Sequence, residues 1–538
     1  MQPPTRATAT CSMARAVCGG GQALSMRGAR GYPEALEKLA TLQSNRSTTL
    51  LFGGGGGGSP EQLNARAIPE MGAWLRRAGY GPADLARMRH IHVAGTKGKG
   101  SVCAFATAML LRRRWRHHGG DGGGSVGTYT SPHLVGPRER IAIDGEPIGQ
   151  QAFADAFFEL WDRFGEAARR EDGVSAAQAE GPESKPFFFR FLTIMAWHVF
   201  LARGVGDVVM ECGIGGEYDA TNVLPPEAVS AAVVTQLGID HVAMLGDSAG
   251  QIAWHKAGIM KPGVKCFTGS SDHHHRQQPA VMQVLRARAA EKGASLVEVD
   301  DETVRQWGGV PGLLRGDFQK RNQALATLAV REHLGWGDVV PSPSSSSSLL
   351  AALRSIPEDM VQGLREARLR GRCEVLEHAD VTWLLDGAHT AESLAEVARW
   401  LAQSLRPPAV EPIVLVFNQQ DREAAPLLAA LVAAVQRETG RQTLVFRHAL
   451  FTRNDLARPP AGAVVDMAVQ EKTAAAMVGL VPGCDTACVD NVEDAVARAR
   501  ALAAQLADEH GVKPKVLVTG SLHLVGAALR VLEPDSSL

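Results

Sequence analysis

Short apolar runs alternate along this chain with longer stretches in which apolar residues recur at helical spacing. The runs that read as strands are His90–Ala94, Asp207–Glu211, Ala231–Thr235, Val381–Leu385, Ile413–Phe417 and Lys515–Thr519. Helical patterns lie between them, Arg321–Leu334 among them. Such alternation predicts an α/β fold of parallel sheets covered by helices. In sheets of that kind, ligands bind just beyond the carboxyl ends of the strands. Polar residues stand at those places in order: Lys99, Glu211, His241, Asp386, Asn418 and Ser521. The pattern predicts one active-site rim per domain.

Three low-complexity tracts interrupt the pattern: Gly53 to Gly58, Gly119 to Gly124 (broken by Asp121) and Pro341 to Ser348. They read as surface loops, the last as a domain boundary, and residues 174–186 read as a polar insertion. The 538 residues suffice for two or three domains. The reading is 1–31 disordered and a possible transit peptide, 32–340 a larger N-terminal domain, 341–357 a low-complexity linker, and 358–538 a smaller C-terminal domain. A net charge of −1 gives no global field that would invite nucleic acid or an anionic membrane. No apolar run approaches a membrane span. Eight cysteines without a C-x-x-C pair argue against thiolate metal sites and a disulfide framework. The first 33 residues carry four arginines (Arg6, Arg15, Arg27, Arg30) and no acidic residue, as a transit peptide does. That predicts a mitochondrion or plastid. A disordered extension or an early start codon, and hence the cytoplasm, is the alternative.

The densest chemistry lies in Gly95-Thr96-Lys97-Gly98-Lys99-Gly100-Ser101, between a predicted strand and a predicted helix. Glycines let backbone amides close on phosphate oxygens, the helix N-terminus adds partial positive charge, and lysine adds a full one. The loop is not a strict Walker A, because Gly100 separates Lys99 from Ser101. Glu211, at a strand end before a glycine-rich turn, suits Mg²⁺ near transferring phosphates. Read alone, a strand-terminal glutamate is ordinarily solvated or satisfied, Ser131-Pro132-His133 is a plain turn, and Lys256 is an exposed helix lysine. His273 to His275 read as a solvated insertion.

Taken together, Gly-Thr-Lys-Gly-Lys-Gly-Ser, Ser131-Pro-His-Leu134, Glu211 to Asn222, Gly238-Ile-Asp-His241, Arg370-Gly-Arg-Cys-Glu374, Asp386-Gly-Ala-His389, Phe417 to Arg422 and Thr519 to Gly526 resemble the folylpolyglutamate synthase branch of the Mur-ligase superfamily. The Ala253-Trp-His-Lys256 wording resembles its eukaryotic members. The resemblance implies a P-loop-type ATPase domain followed by a Rossmann-like one. It implies an ATP-dependent ligase that adds L-glutamate to a reduced folate through an acyl phosphate, acting as a monomer. Dihydrofolate synthase and a non-catalytic nucleotide switch are the alternatives. Gly95 to Ser101, Asn322, Arg372 and Asp386 would hold ATP. Ser131, Glu211, His241 and a carbamylated Lys256 would hold two Mg²⁺ ions. Lys99, His241, Lys256, Arg372 and His389 would serve catalysis. Asp219, Thr221 and Asn222 would contact substrate, and the Phe417 segment would lie near adenine. Phe318 and Lys320 depart from the family's His-Gln-Arg-x-Asn wording.

Overall fold

The computed structural model describes residues 30–42, 60–118, 124–270, 278–336, 345–405, 413–420, 423–440, 445–460, 462 and 464–534. The N-terminal extension, the first glycine tract, most of the second and the three consecutive histidines lie outside them.

The first sheet contains β1 (Arg89–Ala94), β2 (Val126–Tyr129), β3 (Ile141–Ile143), β4 (Glu146–Pro147), β5 (Asp207–Glu211), β6 (Val229–Val234), β7 (Lys265–Ser270) and β8 (Ser295–Asp300), in the order β4-β3-β2-β5-β1-β6-β7-β8. From β2 to β8 every pairing is parallel, and β3 and β4 add antiparallel at one edge. The second sheet contains β9 (Glu374–Glu377), β10 (Thr382–Asp386), β11 (Ile413–Phe417), β12 (Phe446–Thr452), β13 (Asp485–Val489) and β14 (Lys515–Thr519), in the order β13-β12-β11-β14-β10-β9. Only β9 is antiparallel. The six strands read from sequence are all present, shifted by at most two residues. The edge strands and β7, β8, β12 and β13 are short or polar enough that the hydrophobic pattern does not announce them.

Helices cover both faces of each sheet, as parallel strands buried on both sides require. Helices Gln150–Arg169 and Phe188–Ala202 close one face of the first sheet over an aromatic core containing Phe157, Trp161, Phe164 and Phe191. Helices Lys99–His118 and Gln319–His333 close the other.

Residues 345–357 are not a linker. Ser345 caps a helix, Ser346–Arg354, by accepting from the Ser348 amide at 3.2 Å. Serine favours that position because its short hydroxyl satisfies an orphan amide. Leu349 and Leu353, with Met360 and Leu364 of helix Glu358–Glu366, are buried in the same core as Ile91 and Val93. The first unit therefore extends to about Ala367, past the boundary expected at 358. The expected insertion at 174–186 is likewise tied down. The ammonium of Lys185 donates to the Ala179 carbonyl at 2.7 Å and the Ser184 hydroxyl at 2.6 Å, over the Trp161 ring.

The apolar run of β1 carries two fully buried histidines, His90 and His92. His90 Nδ1 lies 3.0 Å from the Ala228 carbonyl, and the Trp197 indole donates to Nε2 at 3.3 Å. That network holds a neutral ring, and burial pushes its pKa down to about 4. The unfolded chain, with an ordinary value near 6.5, binds the proton first as pH falls, so stability is complete above about 6.5 and is lost between 6.5 and 4. The expected loss at His90 is on the order of 3 kcal/mol. Urea midpoints across that window should show it, and His90→Gln should flatten the slope while lowering stability at pH 7.5. An equally steep slope in the variant would exclude His90 as its source.

Candidate active site

The loop after β1 is stitched to the segment after β6. Thr96 and Lys97 both donate backbone N–H to the Gln236 carbonyl, at 3.0 and 3.1 Å. The Thr96 hydroxyl donates to the Gly238 carbonyl at 3.1 Å, and Thr235 Oγ1 donates to the Lys97 carbonyl at 2.7 Å. A Cβ on Gly95 would sit 1.8 Å from Thr235 Oγ1. Gly95 to Lys97 thus anchor the loop, and the amides of Thr96 and Lys97 are already engaged. Helix Lys99–His118 starts directly after Gly98, so an anion is met by Gly98 to Ser101, where first-turn amides lack intrahelical partners. Gly98 has φ +89°, and a Cβ there would come 2.4 Å from Asn322 Oδ1. Asn322 is buried against that glycine, and its amide donates to Gln319 Oε1 at 2.8 Å.

Beside the loop, at the end of β5, Glu211 is 3% exposed. Lys99 Nζ lies 3.7 Å from Oε1, and the Ser131 amide donates to Oε2 at 3.1 Å. Burial pushes the carboxyl pKa up; Lys99, the Ser131 N–H, Arg372 and Arg140 pull it back. The peptide Ser131–Pro132 is cis. Beyond it, the Glu139 carboxylate gathers the amides of Leu134 (2.9 Å), Val135 (2.7 Å) and Gly136. Arg140 Nε donates to His133 Nδ1 at 3.0 Å, and burial with that charge holds the His133 pKa down at about 3.

Lys256, expected on an exposed helix face, is 2% exposed. Its amine donates to the Gly95 carbonyl at 2.8 Å. Burial first, then repulsion from Lys99, lowers its pKa to about 7. His241 instead sits at φ +51°, with its side chain 45% exposed and Nε2 3.8 Å from Asp240 Oδ2. One of the two expected ligands faces solvent and the other lies under the loop. Among the described residues, no group of three or more His, Cys, Asp or Glu side chains is arranged for a metal. The Glu211 position does fit Mg²⁺, which takes one or two carboxylates, phosphate oxygens and water.

Asp219, Thr221 and Asn222 form a hydrogen-bonded network around the turn after β5. Asp219 accepts from the amides of Gly213, Ile214 and Thr221 at 2.9–3.0 Å and from the Thr221 hydroxyl at 2.6 Å. Asn222 donates to the carbonyls of Glu217 and Gly258.

The second unit contributes a compact turn. Asp386, buried, accepts from the amides of Cys373 (2.7 Å) and Ala388 (2.9 Å) and so ties the hinge to the end of β10. Each of its oxygens accepts one of these bonds. Gly387 donates to the Gly371 carbonyl at 3.0 Å, and Arg372 Nη1 lies 2.8 Å from where a Gly387 Cβ would be. His389 Nδ1 is 2.9 Å from the Gly387 carbonyl. A carbonyl can only accept, so Nδ1 donates to it. Lys97 Nζ meets Glu392 Oε2 at 3.3 Å across the units. Asn418 Nδ2 donates to Asn454 Oδ1 at 2.8 Å, and Asn418 Oδ1 accepts from Gln470 Nε2 at 3.0 Å, both within the second unit. Asp421 and Arg422 lie outside the described residues. Lys320 makes only an exposed ion pair with Asp317, at 3.2 Å. Phe318 packs into the core of the second unit. A cavity of about 320 Å³ opens beside Gln319, walled by Val310, Arg315, Lys320 and Trp400. That volume lies in the range of small-molecule sites. Sequence reasoning gave no role to Gln319, Thr235 or Gln236, whose importance is one of spatial neighbourhood.

No family model matches the chain. It is 38% identical over 524 residues to a folylpolyglutamate synthase of Neurospora crassa, covering 95% of this chain and 93% of that protein. It is 35% identical over 511 residues to a folylpolyglutamate synthase of Saccharomyces cerevisiae, covering 93% and 87%. It is similar to the crystal structure of Mycobacterium tuberculosis folylpolyglutamate synthase complexed with ADP and AMPPCP, with a TM-score of 0.63 at 25% identity over 87% of this chain and 96% of that one.

Gly98→Ala should weaken ADP binding about tenfold to hundredfold, through strain at positive φ and displacement of Asn322. Titration calorimetry of the folded variant measures it; unchanged affinity would remove Gly98 from the phosphate site.

Proposed function

The chain belongs to the folylpolyglutamate synthase family, and from that membership we propose how its site works. The protein is a nucleotide-binding, ATP-dependent ligase of folate metabolism that adds glutamate. Among the described residues, no helix is long and apolar enough to cross a membrane. The observation that carries the reading is the meeting of three cationic side chains, Lys99, Arg372 and Arg140, around buried Glu211 at the mouth of the phosphate loop.

The γ-carboxylate of a reduced folate, or of its glutamate tail, attacks the γ-phosphate of ATP and releases ADP. The amine of L-glutamate then attacks the acyl phosphate, forming the amide and expelling phosphate. Protein need supply little covalent chemistry for such a transfer; alignment and neutralisation of charge suffice. Lys99 and the first-turn amides hold the phosphates. Glu211, Ser131 and Ser101 would hold Mg²⁺, which when bound neutralises phosphate charge. Arg372 reaches in from the second unit toward the transferring group. His389, at the acyl-transfer centre, would take the proton that the incoming ammonium must lose. The cavity beside Gln319 has room for the base of the nucleotide.

The assay is the full chain with MgATP, labelled L-glutamate and either tetrahydrofolate or dihydropteroate, resolved by mass. Glutamate added to tetrahydrofolate with equal ADP is expected. Product from dihydropteroate alone would move the activity to dihydrofolate synthesis, and no product from either would overturn the reading. Arg372→Ala should lower kcat about a hundredfold to a thousandfold with folding intact.

The buried amine of Lys256 supports carbamylation, since a neutral amine reacts with CO₂ to give a carbamate and a proton. With a pKa of about 7, the amine is neutral above that value and protonated below it. Activity in bicarbonate-depleted buffer should therefore fall more steeply below pH 7 than above it, and added bicarbonate should restore it. No response to bicarbonate at any pH would exclude the modification.

A further inference from the structure

Ser101 is 5% exposed, and its hydroxyl has one side-chain partner from outside its own helix. Gln319 Nε2, on the first turn of helix Gln319–His333, donates to Ser101 Oγ at 3.2 Å. Gln319 is itself 2% exposed and cannot turn its amide over freely. Its Oε1 accepts from Asn322 Nδ2 at 2.8 Å, which leaves the N–H end facing the serine. Asn322 in turn is packed against Gly98. The three side chains form a relay that starts on the phosphate loop, passes through two amides and returns to the helix that the loop opens.

A hydroxyl has one proton and two lone pairs. Because Gln319 presents a donor, one lone pair of Ser101 is occupied and its O–H is left to point elsewhere. Ser101 stands in the first turn of helix Lys99–His118, directly after Gly98–Gly100, where an anion would lie. We propose that Gln319 is a positioning residue that fixes the polarity of Ser101, keeping its proton aimed at a nucleotide phosphate, with Asn322 holding Gln319 in that orientation. The inference rests on the reading of Gly98 to Ser101 as the phosphate site. It assigns Asn322 an action through Gln319 on the loop.

Gln319→Glu is the discriminating change. It keeps size and shape and still accepts from Asn322, but it offers Ser101 an acceptor. The serine must then donate to position 319 and present only lone pairs to an anionic phosphate. ADP affinity, measured calorimetrically without metal, should fall about tenfold or more for Gln319→Glu. In a Ser101→Ala background the same change should cost less than about twofold, because no hydroxyl remains to be reversed. A role in folding alone would give equal losses in both backgrounds, as would direct repulsion between the new carboxylate and phosphate; equal losses overturn the proposal. Should Gln319→Glu fail to fold, Gln319→Met removes the N–H donor at similar length. Its loss and that of Ser101→Ala must then be less than additive, and full additivity overturns the proposal. Failure of the wild-type chain to bind ADP would overturn the phosphate-loop reading first, a result separable from any outcome of the cycle.

Discussion

A carboxylate taken out of water is the constraint around which this molecule is arranged. Glu211 ends a strand in the middle of the first sheet, where the protein offers no water to solvate it. An ionised carboxyl in such a place costs several kcal/mol unless it is surrounded by donors and opposite charge. The compensation comes from four directions. Lys99 arrives from the phosphate-loop helix, the Ser131 amide from the turn after β2, Arg140 from the start of β3 and Arg372 from the hinge of the second unit. In the proposed mechanism Lys99 and Arg372 also face the phosphates, so charges that make Glu211 tolerable are the ones that would neutralise the transferring group.

Much of this was legible in the sequence, for a physical reason. A parallel strand buried on both faces is a continuous apolar run, and it places its next polar residue at the carboxyl edge of the sheet. Lys99, Glu211 and Asp386 could therefore be found from runs and spacing alone. The glycines at 95 and 98 were legible because close approach leaves no alternative residue. The resemblance added the Ser131-Pro-His-Leu134 turn and the hinge arginine, which spacing alone would have passed over.

What was not legible depended on which atoms were already engaged. Asp219, Thr221 and Asn222 have the polarity of substrate ligands, yet Asp219 accepts from its own turn, Thr221 meets His92 and Asn222 donates to Glu217 and Gly258. Asn418 spends its amide on Asn454 and Gln470. Lys256 looked like a surface lysine because helical periodicity cannot report that a loop from a distant strand covers it. The serine tract looked like a spacer because composition does not distinguish a flexible serine from one that caps a helix.

Leu134 and Val135, from the first unit, pack with the core of the second. A Cβ on Gly526 would lie 1.9 Å from the Leu134 carbonyl, so the closing helix can pass there only as glycine. Phe318 packs against the other, separate core cluster of that unit. The two halves are consequently not interchangeable modules. A C-terminal half transplanted onto a different ATP-binding half would arrive with two empty sockets, and compatibility would be decided by a leucine, a valine and a phenylalanine remote from any reacting atom. Recombination between relatives is thereby filtered by apolar fit before catalysis is ever tried.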